Sequence, residues 1–245
     1  MANRTLLILA AVLFALTVLV RAPASWLTGA LPASIECQAP GGSMWSGGCG
    51  QLKVAGAALS DVRWQLHPWA LLGGHLELAV QSADARAPAT GTIALGWGGH
   101  RAIDELHADL PIDTGFLPLF PTGWSGRVQL ALSRLEFASG RLAAISGTVT
   151  ARALAQVRPA MAFGSYELRF ADAPRADGAI SAELRDVGGP LAVAGTLLIR
   201  NGSEYVLAGT VAARAEANAE LAKDIEFLGS PDAQGRRQFS LAGSF

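Results

Sequence analysis

Apolar and polar residues alternate along most of this chain with a period of two, the period of half-buried β-strands. Ile35 and Cys37 alternate with Ser34 and Glu36, and Val62, Trp64 and Leu66 with Arg63, Gln65 and His67. Leu76, Leu78 and Val80 alternate with Glu77, Ala79 and Gln81. Pro40-Gly41-Gly42-Ser43 is expected to break the first strand, Trp45-Ser46-Gly47-Gly48 to restart the chain, and Pro68 to end the next strand because it cannot donate to a ladder. The pattern continues with Ile93, Leu95 and Trp97, then Leu106, Ala108 and Leu110, then Val128, Leu130 and Leu132. Later strands centre on 148–152, 165–170, 179–185, 191–200 and 205–211, and Phe239 and Leu241 close the series. Asn201-Gly202 is the strongest hairpin-turn signal.

Two stretches depart from this period. Ala213 to Leu228 places Leu221, Ile225 and Leu228 at helical spacing among good helix formers, with Gly229 and Pro231 to stop it. At the amino terminus, Arg4 is followed by sixteen uncharged residues, Thr5 to Val20, and then Arg21. Sixteen helical residues span about 24 Å, against the roughly 30 Å of a hydrocarbon core. Snorkelling of Arg21 and continuation through Ala22–Leu27 to an interfacial Trp26 would complete a transmembrane anchor. A signal peptide cleaved near Ala22-Pro23-Ala24 is a competing reading, and a buried soluble helix is a third. The arginine directly after the apolar run and the proline inside the cleavage triplet argue against processing.

The expected architecture is mainly β: a curved antiparallel sheet, a meander, with an N-terminal transmembrane helix and a short C-terminal helix. No low-complexity linker divides it. The expected layout is residues 1–4 cytoplasmic, 5–27 an anchor and 28–245 an extracytoplasmic β-domain. Trp45-Ser46-Gly47 returns as Trp124-Ser125-Gly126, each with a Leu-Pro upstream, Leu31-Pro32 and Leu117-Pro118. This is compatible with a weak duplication whose halves start near 31 and 117; chance similarity explains it nearly as well.

Composition changes the picture in three ways. Apolar residues make up 51% and charged ones 16%, below the ~25% of ordinary soluble domains. The net charge of −1 with scattered arginines points away from nucleic acid. The two cysteines, Cys37 and Cys49, could close a hairpin with a disulfide worth about 3 kcal/mol, or stand as two thiols in a sheet.

Chemistry is sought and not found. The chain lacks a phosphate-cradling Gly-Lys-Ser/Thr loop, Gly-x-Ser-x-Gly and His-Glu-x-x-His. His67, His75, His100 and His107 are scattered, and Asp84, Asp104, Glu105 and Asp109 are expected on solvated faces. No metal, no cofactor and no catalytic residue are assigned. Of the six tryptophans, Trp64 and Trp97 are expected in the core. Trp69, after Pro68 at a strand end, is the best candidate for an exposed contact.

Leu31-Pro32, the small-residue run into Met44-Trp45-Ser46-Gly47, and then Leu59, Trp64, Pro68, Trp69, Leu71, Leu72 and Gly74 resemble the type II secretion system protein N family, also called general secretion pathway protein N. The closing segment Leu221–Gly235, with Leu228-Gly229-Ser230-Pro231, is similar to the end of those proteins. The middle, about 83–207, matches in style alone. The resemblance implies a place, the bacterial inner membrane and periplasm beside a secretion apparatus, and implies no reaction. The expected function is therefore a non-enzymatic, single-pass inner-membrane component of type II secretion that contacts other subunits. The alternative is a periplasmic β-groove protein that binds or transfers lipid. An open apolar concave face would favour lipid; a face filled by its own side chains would favour a scaffold.

Overall fold

The computed structural model describes residues 2–29, 31–32, 35–54, 57–96, 99–112, 122–173, 175 and 177–244. Among the described residues thirteen strands form one antiparallel sheet in strictly sequential order. They are β1 Ile35–Gly42, β2 Ser46–Val54, β3 Ala57–His67, β4 His75–Ser82, β5 Ala89–Gly96, β6 Arg101–Pro111, β7 Trp124–Ala138, β8 Arg141–Gln156, β9 Met161–Phe170, β10 Ile180–Gly188, β11 Leu191–Arg200, β12 Glu204–Ala213 and β13 Arg237–Ser244. Helix α1 (Ala2–Val20) and the short α2 (Ala24–Gly29) precede the sheet, and α3 (Ala219–Asp224) lies between β12 and β13.

The period-two pattern becomes two chemically distinct faces. Register pairing carries an apolar row across the sheet: Leu106, Leu132, Gly147, Phe170, Ala182 and Leu197. The neighbouring row reads Arg63, Gln81, Thr90 and His107 at one side, and Thr148, Arg169, Glu183 and Thr196 at the other. On the apolar side, Leu132, Leu142, Phe170, Ile180, Ala182 and Ile199 form the central core. Leu221 of α3 closes a second cluster with Met161, Leu191 and Val211. Ala24 of α2 closes a third with Cys49 and Trp64. The apolar side is thus filled by the chain's own side chains and closed at each end by a helix.

The sheet stays open nonetheless. The accessible surface of the whole chain, exposed helix α1 included, is 14954 Å². A compact monomer of 25.3 kDa would expose roughly 10,300 Å².

Four expectations need correction. Pro40-Gly41-Gly42 does not break β1, which runs through to Gly42; an edge strand tolerates proline because one side of it needs no donor. The C-terminal helix does not start at Ala213, which still pairs with Leu191 in the sheet. It begins after Asn218, whose side chain accepts the Leu221 N–H at 2.7 Å as an N-cap. The amino-terminal helix does not continue through Leu27: it ends at Val20, Pro23 bridges to Ser43, and α2 is separate. Among the described residues no helix is long and apolar enough to cross a membrane. Finally, Asp84 is not solvated; it is 7% exposed. Leu117-Pro118 and Trp97 lie outside the described residues.

Candidate functional site

The clearest assembly of sequence-marked residues is the junction where α1 meets the first hairpin. The β1–β2 tip is closed by Ser43 and Ser46: the Ser43 N–H donates to the Ser46 carbonyl at 2.9 Å, and the Ser46 N–H to Ser43 Oγ at 3.1 Å. From this tip the Trp45 indole Nε1 donates to the Leu19 carbonyl in the last turn of α1, at 2.8 Å. The Met44 N–H donates to the Ala22 carbonyl at 2.8 Å. Trp64 Nε1 donates to the Met44 carbonyl at 3.2 Å. Helix ends leave carbonyls without partners; here the Leu19 carbonyl is taken by Trp45, and Trp64 braces the hairpin tip through Met44.

Glycine at 47 is required by this packing. A Cβ there would lie 2.6 Å from both the Gly41 carbonyl oxygen and Trp64 Cζ2. Trp64 itself is buried, at 7% exposure, between Val62 and Leu66. Cys37 and Cys49 form a disulfide with Cα atoms 5.6 Å apart. Their register partners are Leu52 and Pro40, so the bridge runs diagonally across the β1–β2 ladder.

Beyond β3 the chain enters a 3₁₀ turn, Pro68–Gly73, closed by Gly74 at φ 78 with its N–H on the Leu71 carbonyl. The left-handed conformation is what glycine supplies here. The turn holds Trp69 at 80% and Leu72 at 83% exposure. At its base His67 Nδ1 meets Glu77 Oε1 at 2.8 Å.

The motif residues therefore separate into groups. Trp45, Ser46, Gly47, Trp64 and Cys49 gather at the junction, with Pro68, Trp69, Leu72 and Gly74 just beyond it. Leu59 pairs with Leu52 toward the other end of β3. Leu228 and Gly229 close the 3₁₀ turn after α3, at the far end of the strands, where Phe227 is also exposed. Among the described residues no three of His, Cys, Asp and Glu converge as metal ligands do.

The sheet's two edges differ. β1 carries Pro40, the disulfide and α2 packed against it. β13 (Arg-Gln-Phe-Ser-Leu-Ala-Gly-Ser) is paired on one side by β12, has no proline or lysine, and exposes Leu241. Such an edge is a template for another strand.

Two broad cavities of about 870 and 890 Å³ lie along the sheet. Their linings include Arg63, Gln65, Gln81, Thr90 and His107 in the first, and Thr148, Arg169, Glu183, Arg185 and Thr196 in the second. The polar rows run through both linings beside apolar residues such as Val80 and Leu184, so neither is a purely apolar trough, and the lipid-groove expectation finds no support here.

Three carboxylates that the residue pattern did not single out as structural hold loops in place. Asp84 accepts the Arg86 N–H at 2.9 Å and the Ser60 N–H at 3.3 Å. The Arg86 hydrogen bond, over the opposing effect of burial, holds its pKa below the usual 3.8. Asp109 is opposed by burial, yet hydrogen bonds from Gln129 and Arg127 leave it lowered as well. Asp186 takes the Arg214 guanidinium and the Val193 N–H, joining β10, β11 and the end of β12. A local signal existed for Asp84, an Asx turn onto its own chain two residues on; none marked Asp186 and Arg214, which are 28 residues apart.

Comparison with known proteins finds relatives over most of the chain. The family model for type II secretion system (T2SS) protein N matches residues 33–240. The chain is 26% identical over 228 residues to the type II secretion system protein N of Aeromonas hydrophila, covering 89% of each chain. It is 24% identical over 221 residues to the protein of that name from Vibrio cholerae serotype O1, covering 87% of this chain and 86% of the relative. No solved structure matches it. With its opening hairpin, its closing helix and nearly everything between them inside that match, the chain belongs to the type II secretion system protein N family.

Proposed function

We propose that this chain is a non-enzymatic subunit of the type II secretion machinery, held at the bacterial inner membrane by α1, with its sheet in the periplasm contacting other secretion subunits. Family membership implies those subunits as partners. The observation that carries the contact role is the difference between the two edges: β1 is blunted and β13 is open. An extended segment of a partner can add to β13 through main-chain hydrogen bonds.

Support for the anchor comes from α1, in which every described side chain is exposed, including Leu6, Leu7, Leu9, Leu13 and Phe14. Its apolar run is about 6 Å short of a hydrocarbon core, a mismatch that flanking Arg4 and Arg21 and local thinning absorb. The disulfide fits an oxidising compartment.

The test is a photo-crosslinker at Leu241 in cells that assemble the whole machinery. A crosslink to another secretion subunit, lost when the probe moves to Val80 inside the sheet, is the expected result. Equal yields at both positions would overturn the edge as the contact surface.

A further inference from the structure

The 3₁₀ turn Pro68–Gly73 contains no charged residue and buries none of its side chains. Trp69, Leu71 and Leu72 stand 80%, 45% and 83% exposed. Solvated turns favour Gly, Asn, Asp and Ser, so three large apolar side chains at a tip need an apolar surrounding.

The turn's place in the fold identifies that surrounding. It follows His67, the last residue of β3. One residue earlier, the Leu66 N–H donates to the Trp45 carbonyl at 2.8 Å, and the Trp45 indole donates to Leu19 in the last turn of α1. Trp69 is three residues past Leu66, at most about 10 Å even for an extended chain. The exposed turn and the carboxyl end of α1 therefore lie at one end of the sheet. Trp26 of α2, also exposed, follows Pro23, which bridges to Ser43 at the hairpin tip of this end.

We infer that Trp69, Leu71 and Leu72 enter the bilayer interface, so that the turn and Trp26 seat the β-domain on the membrane at a fixed height. This rests on the reading of α1 as the membrane anchor. Tryptophan favours the headgroup level, where its ring is apolar and its N–H stays wet, and leucine lies just below. α1 alone gives a tether about which the domain could swing; a second contact, displaced along the sheet, fixes its orientation and with it the direction in which β13 points.

The test uses the full chain with its native disulfide and one added cysteine at a time, Leu72→Cys, Leu13→Cys or Phe227→Cys, each labelled with an environment-sensitive fluorophore. The protein is reconstituted into phosphatidylcholine–phosphatidylglycerol vesicles carrying spin labels at the headgroup or deep in the acyl chain. The label at 72 is expected to lose about half its emission to the headgroup quencher and less to the deep one, as interfacial residues do. The label at 13 should respond mainly to the deep quencher, and the label at 227, at the far end of the strands, to neither. If position 72 is as unquenched as 227 while position 13 is quenched, the inference falls and the anchor stands; the turn is then free for a protein. If position 13 is unquenched, the anchor reading falls, and with it the inference as stated.

Discussion

Trp45 Nε1 donates to the carbonyl oxygen of Leu19 across 2.8 Å, joining residues 26 apart in the chain. Through this bond a β-hairpin tip caps the end of the amino-terminal helix. With Met44 on Ala22 and Trp64 on Met44, the helix is held to β3 as well as to the first hairpin.

Trp45→Phe keeps the ring and removes the donor. A net loss of about 1 kcal/mol is expected at the junction, which opens it about fivefold more often. Trypsin cleavage after Arg21 should quicken by that factor while the unfolding midpoint of the sheet barely moves. An unchanged cleavage rate would show that the bond does not hold the junction closed.

Gly47→Ala places a methyl 2.6 Å from Gly41 O and Trp64 Cζ2, and overpacking of this kind costs about 1–3 kcal/mol. Gly41→Ala meets nothing within 4 Å and should cost much less. Urea unfolding of the two variants side by side checks the contrast; equal midpoints would refute the packing account of the motif.

Reduction of Cys37–Cys49, or Cys49→Ser, should lower stability by about 3 kcal/mol if the chain-entropy account of a loop of this size holds. The effect should be largest on β1 and β2, seen as faster amide exchange there than in β7 and β8. Identical exchange in both forms would make the bridge energetically idle.

Asp84 titrates lower in the folded chain than in the unfolded one, because the Arg86 and Ser60 N–H groups favour the carboxylate. Its contribution is therefore complete above the unfolded value of 3.8 and is lost as pH falls through the lower folded value. Asp84→Asn should be less stable than the parent at pH 7, and the gap should narrow as the pH falls below the unfolded value of 3.8. A gap that stays constant over that fall would assign Asp84 no charge-dependent role.

Much of the fold was legible because an antiparallel sheet with one buried face writes its register as alternation. Val62, Trp64 and Leu66 marked β3, and Pro68 marked its end, as found. Asn201-Gly202 forms the turn between β11 and β12, both residues at positive φ. What alternation does not encode is length and cover. β8 runs sixteen residues, Arg141–Gln156, well beyond the 148–152 centre. The roles of Ala22 and Ala24, small residues buried beneath the hairpin, show no periodic signature. At the candidate site, the rarity of tryptophan made Trp45 and Trp64 visible. Their joining to Leu19 depended on where α1 ends, which the apolar run alone did not reveal.

Every strand between the two edges pairs with the strand made just before it and the one made just after. Ring closures along the sheet are therefore short, and their entropic cost stays small and nearly uniform. A chain threaded through a membrane amino terminus first would find, for each arriving strand, a template already in place beside it. The last of these strands to be delivered, β13, finds β12 beside it, and its outer edge stays unpaired among the described residues.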